Sequence, residues 1–236
     1  MGYAGGKGRI WQNIVSLMPP HERYIETHLG GGSVLRNKRP AKRSIGIDLD
    51  HRVITAATSW MIPNLTLRQC DAVAFLKNNE FEKGDLIYAD PPYVASTKAY
   101  RRYYRYEYTD ADHLRLLKTL VRLQCAVMIS GYRCGLYDEL LEGWNSVSLI
   151  NITHAGLREE VVWANFPFSS DLHEYDRVGG SFRERERIKR KLGRWVVKFE
   201  QMPVLEQRAV LSALLRSSDV DIEFLQRALD GVGERT

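Results

Sequence analysis

The chain has 236 residues, is 44% hydrophobic and 27% charged, and carries a formal net charge of +5. This is an ordinary globular composition, long enough to bury a sizeable core without staples. No run of about 18 apolar residues occurs, which excludes a transmembrane helix.

The opening "MGYAGGKGRI" has no apolar core of the signal-peptide kind, and Gly6 stands where a myristoylation signal needs Ser or Thr. A cytoplasmic location is therefore expected. "YAGGKGR" at 3–9 lacks the spacing and the preceding strand of a phosphate loop, which argues against a nucleoside triphosphatase. Lys7 is either a solvated terminal lysine or a cation placed to neutralise a carboxylate of a bound cofactor.

The first strand is expected at "RYIETH" (23–28), and a glycine turn, "LGGGSVL", follows it. Gly30 and Gly32 have the G-x-G spacing that lets a backbone turn tightly beneath a cofactor and present N–H groups. Leu35 occupies the place of the third fingerprint glycine, so NAD is not favoured. A short helix is expected at 33–37. The second strand, "RSIGIDL" (43–49), runs into "IDLD". Asp48, with Asp50 as second choice, is placed to accept hydrogen bonds from ribose hydroxyls or to cap the helix expected at 51–60.

Further strands are expected at 65–70, 85–90, 125–132, 146–152 and 159–166, and helices at 72–79, 111–123 and 136–142. Several strands are apolar almost throughout, as in a parallel sheet buried on both faces. Helix 111–123 has Thr109 or Asp110 as its N-cap and puts Leu114, Leu117 and Leu120/Val121 on one face. The fold class is therefore α/β and doubly wound, with a mostly parallel sheet. After Pro167 the texture becomes polar. A domain of 1–170 and a basic helical extension of 171–236 are expected, with two or three helices over 183–227. Residues 183–198 hold eight cations against Glu184 and Glu186. Cys70, Cys125 and Cys134 have no metal-ligand spacing and read as reduced thiols.

The fourth strand ends in Asp90-Pro91-Pro92-Tyr93. Pro91 has no N–H and holds Asp90 extended, and Pro92 restricts Pro91 in the same way. One carboxylate and one main-chain carbonyl can then converge as two acceptors, matched to the two N–H donors of a planar exocyclic amine. Tyr93 offers a flat face for a ring. Such a corner would grip an aminated heterocycle such as adenine. The next segment, "KAYRRYYRYEY", places Arg101, Arg102 and Arg105 among tyrosines including Tyr104. It reads as a DNA contact, or as a loop whose arginines cover tyrosine faces.

The ordered set "YAGGK", "YIETHLGGGSV", "IDLD", "QCD" and "DPPY", continued by "ISGYRCGLYDELLEGW" and "REEVVWANF", resembles the Dam-like (D12 class) N6-adenine DNA methyltransferases over residues 2–167. The closest resemblance is to the compact type found in phages and mobile elements. It implies a Rossmann-like methyltransferase sheet, S-adenosyl-L-methionine as methyl donor with S-adenosyl-L-homocysteine as product, no metal, and double-stranded DNA as partner. DNA methylation of this kind belongs to restriction–modification and phage biology, in a bacterial or phage-infected cell. By position, Tyr3, Gly5, Gly6 and Lys7 fall in the N-terminal cofactor motif. Glu26, His28, Gly30 and Gly32 fall in the cofactor loop. Asp48 would bind the ribose and Asp71 the cofactor's adenine amine, while Asp90, Pro91, Pro92 and Tyr93 form the catalytic motif. Arg101, Arg102, Tyr104 and Arg105 would meet DNA. Two departures stand out: Thr27-His28 replaces the usual Pro-Phe, and the gap between Asp71 and Asp90 is too short for the usual target-recognition insert.

The expected reaction is direct methyl transfer to a flipped-out adenine. Cytosine-N4 methylation of DNA and adenine-N6 methylation of RNA use similar corners and stay open as alternatives. A non-catalytic nucleic-acid-binding regulator on the same fold is the more distant one.

Overall fold

The computed structural model describes residues 7–8, 10–97, 105–153, 156–217, 221–222 and 224–226. The chain divides into two compact units, residues 1–177 and 178–236.

The first unit is built on one seven-stranded sheet in the order β3-β2-β1-β4-β5-β7-β6. Strands β1 (Arg23–Glu26), β2 (Arg43–Asp48), β3 (Leu65–Gln69), β4 (Asp85–Ala89) and β5 (Ala126–Gly131) are parallel. Strand β7 (Gly156–Ala164) runs antiparallel to both β5 and β6 (Asn145–Thr153). This is the α/β, Rossmann-like sheet, mostly parallel, that the sequence leads one to expect. Apolar clusters cover both faces. One is built around Ile14, Tyr24, Leu86 and Met128, and the other around Ile25, Ile87, Leu117 and Ile129. Strand β4 is buried at every position, which explains its uninterrupted apolar run. The Arg23 guanidinium pairs with Asp85 and fastens β1 to β4 at their first residues.

The helices of this unit are α1 (Trp11–Val15), α2 (His51–Ala57), α3 (Ala72–Lys77), α4 (Asp110–Leu120) and α5 (Gly135–Leu140). Thr109 is the N-cap of α4 and forms a reciprocal capping box with Asp112. Leu117 and Leu120 of α4 are buried as expected; Leu116 joins them, Leu114 is half-buried and Val121 is exposed. Helix α1 was not expected, although Ile10, Ile14 and Met18 are all buried at helical spacing and Pro19-Pro20 stop the run.

The helix expected at 33–37 is a set of turns instead. Isolated bonds such as Arg36 N–H to Gly32 C=O (2.9 Å) occur, but Leu35 N–H is taken by the Glu26 carboxylate at 3.0 Å. Gly30 and Gly32 sit at φ 48° and 61°. That left-handed conformation costs an L side chain about 1–2 kcal/mol.

Residues 171–177 pack within the first unit. The His173 ring stacks on His21 at 3.8 Å, the His173 main-chain N–H donates to Met18 C=O at 2.9 Å, and Glu174 accepts from Arg39 N–H. The second unit holds α6 (Phe182–Glu200), capped by the Ser181 hydroxyl, and α7 (Val204–Arg216). No described helix is long and apolar enough to cross a membrane.

A Cβ at position 32 would collide with the Trp60 ring, whereas one at Gly135 meets nothing within 4 Å. Gly32→Ala is expected to destabilise the fold by about 2 kcal/mol, from left-handed strain plus the clash. Gly135→Ala should leave the thermal midpoint in place. Thermal melts of the two variants check this, and equal midpoints would contradict it.

Candidate functional site

The sheet order reverses between β1 and β4, which are neighbours although β2 and β3 intervene in sequence. A crevice opens beyond the carboxyl ends of the strands at such a point. It is a cleft of about 830 Å³, including its open mouth. The turn after β1 and the residues just past β2, β3 and β4 line it.

From β1, Glu26 forms part of the cleft wall and is almost fully buried. It accepts from the Tyr24 hydroxyl at 2.8 Å and from Leu35 N–H, so its carboxyl shapes the glycine turn. Burial pushes its pKa up to about 8, against the Tyr24 hydrogen bond. His28 bridges Thr27 Oγ1 and the Tyr108 hydroxyl, each at 2.9 Å. Burial holds its pKa well below the usual value, which keeps the imidazole neutral. Gly30 and Gly32 line the cleft with bare backbone.

Asp48, at the end of β2, accepts from Gly30 N–H (2.9 Å) and Asp50 N–H (2.8 Å), tying the glycine turn to the next strand. Burial raises its pKa. Asp50 caps α2 through Arg52 N–H. Asp71 caps α3 through Ala74 N–H at 2.8 Å and still lines the cleft.

Strand β4 ends where two prolines remove its hydrogen-bond donors. Asp90 follows at once, and Asp90 and Pro92 both reach the cleft. The Asp90 Oδ1 atom is held twice. The Lys7 ammonium pairs with it, and Ser130 Oγ donates to it at 3.0 Å. Because the Ser130 proton is committed there, the Tyr88 hydroxyl donates to Ser130 Oγ at 2.8 Å. Among the described residues Oδ2 has no hydrogen bond. Burial pushes the Asp90 carboxyl up to about 6, Lys7 pulls it down, and Glu160 pushes it up again.

Lys7 is only 3% exposed, and its ammonium also pairs with Glu160 Oε1 at 2.8 Å. Burial opposes its charge, but the two carboxylates outweigh that and hold its pKa well above the usual value. Tyr93 and Pro91 are not among the residues lining the cleft. The Tyr93 ring stacks on Tyr132 at 4.2 Å, with its hydroxyl 3.5 Å from Glu160 Oε1.

Arg105 lines the same cleft and comes within 3.9 Å of Asp50. Tyr3, Gly5, Gly6, Arg101, Arg102 and Tyr104 lie outside the described residues. Sequence reasoning missed Glu160, Ser130, Tyr132 and Tyr108. The first had a signal: an acid inside the apolar run "EEVVWANF" has to find a buried partner. Among the described residues, no group of three or more His, Cys, Asp or Glu side chains is arranged to hold a metal ion.

The family model for D12 class N6 adenine-specific DNA methyltransferases matches residues 55–155. The resemblance carried by the motifs therefore stands on an independent comparison. No curated protein matches significantly in sequence. Three solved structures are among those to which the chain is similar. An N-methyltransferase, NodS, from Bradyrhizobium japonicum WM9 is 13% identical, with 65% of this chain and 90% of that chain covered and a TM-score of 0.45. An rRNA methylase from Streptococcus thermophilus is 12% identical, with 66% and 93% covered and a TM-score of 0.43. A dimethyladenosine transferase from Plasmodium falciparum is 15% identical, with 93% of each chain covered and a TM-score of 0.42. The match takes in Asp71 and Asp90-Pro91-Pro92-Tyr93 and covers fewer than half of the chain's residues.

Lys7→Met leaves two buried carboxyls facing each other. Asp90, which burial raises and Lys7 lowers, then holds its proton to higher pH in the folded chain than on unfolding, where carboxyls titrate near about 4. A raised folded pKa favours the fold at low pH, and that advantage is lost as pH rises through the folded value. The variant should be destabilised by about 3–5 kcal/mol at pH 8. The deficit relative to wild type should shrink toward pH 5. Urea denaturation across this range checks it, and a pH-independent deficit would contradict the pairing.

Proposed function

From the family match and the composition of the cleft, we propose that the chain is a DNA adenine-N6 methyltransferase that uses S-adenosylmethionine and leaves S-adenosylhomocysteine. The observation that carries this reading is that Asp90 and Pro92 share one cavity with Gly30, Gly32, Asp48 and Asp71. A grip for an amine and a cradle for a nucleoside thus adjoin.

The residues fit the cofactor. The cleft has the volume of a small-molecule site. Left-handed glycines keep side chains away from the ligand, and one acid stands at the end of β2 and another just past β3. In this reading Asp48 accepts from ribose hydroxyls and Asp71 from the adenine amine. The bound cofactor supplies an electrophilic methyl group on a sulfonium centre.

The chain's own residues prepare the acceptor. Adenine N6 is a weak nucleophile because its lone pair is delocalised into the ring. Asp90 Oδ2 and the Pro91 carbonyl accept its two hydrogens and stabilise the positive charge that develops during attack. Lys7 and Ser130 clamp Oδ1, so the carboxylate meets the amine already oriented. Duplex adenine has to leave the stack first, which costs a few kcal/mol. Tyr93 recovers part of this by stacking on the base once Tyr132 moves off its ring. Arg101, Arg102, Tyr104 and Arg105 serve as DNA contacts beside the corner, and the cations of α6 add affinity for phosphates. The methyltransferase domain, expected at 1–170, takes in the residues to 177 that pack with it, and 178–236 is a basic extension.

Wild-type protein, unmethylated bacterial genomic DNA and methyl-labelled S-adenosylmethionine should give labelled N6-methyladenine on nucleoside digestion and mass spectrometry. Asp90→Ala should lower the rate by roughly 10³-fold or more. Its affinity for the methyl donor, measured by calorimetry, should stay within a few-fold of wild type. Label on cytosine, label only in RNA, or turnover retained in Asp90→Ala would each refute the assignment.

A further inference from the structure

Glu160 has no part in the reaction as described, and the motifs assign it none. It is fully buried in β7, two strands away from β4, and it touches both Lys7 and the Tyr93 hydroxyl. An acid there is costly to bury and needs a reason.

The charges supply one. Lys7 alone with Asp90 would make a neutral pair. A developing cation on the substrate would then face a carboxylate whose charge is already cancelled. With Glu160 added, two carboxylates share one ammonium and the group keeps a net charge of −1. Glu160 also gives the ammonium a second seat, at 2.8 Å, so that Lys7 is not held by Asp90 alone.

We propose that Glu160 is a positioning residue: it neutralises Lys7, so that Asp90 presents uncompensated negative charge to the acceptor amine. This rests on the methyltransferase reading above. Pairing with the Tyr93 hydroxyl makes the same carboxylate an anchor for the ring that would receive the base. Charge balance and ring placement are thus set from one buried point.

Other titratable groups face the pair. Glu26 approaches from β1, Tyr24 and Tyr88 from β1 and β4, and Tyr132 and Tyr137 from beyond β5. Burial raises all of these, so Glu26 titrates near 8 and the tyrosines stay neutral. Of the carboxyls in the cluster, Asp90 is the one raised to about 6, and Glu160 contributes to that rise.

The test compares wild type, Glu160→Gln and Glu160→Asp on unmethylated bacterial genomic DNA, across pH 5 to 9. Glu160→Gln should lower kcat by roughly 10²-fold with KM for DNA little changed. Its acid limb should move below the wild-type value, because a carboxylate that raised the Asp90 pKa is gone. Glu160→Asp, which keeps the carboxylate, should be faster than Glu160→Gln. A purely structural role predicts the reverse, since Gln matches the shape of Glu and Asp does not.

An unmoved acid limb, or Glu160→Asp slower than Glu160→Gln, would overturn the proposal. If Glu160→Gln does not fold, Glu160→Asp carries the test: it should turn over within about tenfold of wild type. A folded, donor-binding, inactive Glu160→Asp would overturn the proposal. A wild type that makes no N6-methyladenine would instead refute the methyltransferase reading, so the two failures are distinguishable.

Discussion

A buried ammonium shared by two carboxylates joins three parts of the first unit that are far apart in sequence. Lys7 comes from the N-terminal segment, Asp90 from the end of β4 and Glu160 from the middle of β7. Lys7 and Glu160, 3% and 0% exposed, would each be costly there alone, because an isolated ion in a dry interior costs several kcal/mol or more. Each therefore fixes the other, and Lys7 holds Asp90 in turn. The Asp90 carboxylate is thus held through Oδ1, and among the described residues Oδ2 has no hydrogen bond.

The sheet makes this arrangement possible. Reversal of strand order between β1 and β4 opens a crevice where a glycine turn and a proline-stopped strand end side by side. The turn's left-handed glycines, Asp48 tied to Gly30 N–H, and the Asp90 corner are separate local solutions to strand termination. Parallel pairing of β1 with β2 and β4 brings their ends to one level, so the three meet in one cavity.

Much of this was legible in the sequence, for local reasons. Strands β1 to β5 announce themselves because each is a short apolar run closed by a turn or an acid, and β4 is apolar because both its faces are covered. Asp90-Pro91-Pro92-Tyr93 and Gly30-x-Gly32 are contiguous signals whose geometry follows from backbone chemistry. What was hidden depends on long-range contacts. The 33–37 segment has helical composition, yet Glu26 captures Leu35 N–H and breaks the ladder. On α4, Leu117 and Leu120 were legible, but that Leu116 is covered more fully than Leu114 depends on the partner surface, which sequence does not display. Glu160 went unassigned because its partners, Lys7 and Tyr93, lie far from it in sequence. Tyr132 was missed in the same way, since it acquires meaning only by stacking on Tyr93.

The account stands on the claim that the cleft beside Asp90 is where the methyl donor binds. A crystal structure of the chain with S-adenosylhomocysteine tests it most directly. The nucleoside should lie against Gly30 and Gly32 with its ribose at Asp48 and its sulfur turned toward Asp90. Binding at another surface, or a sulfur turned away from the Asp90 corner, would contradict the account.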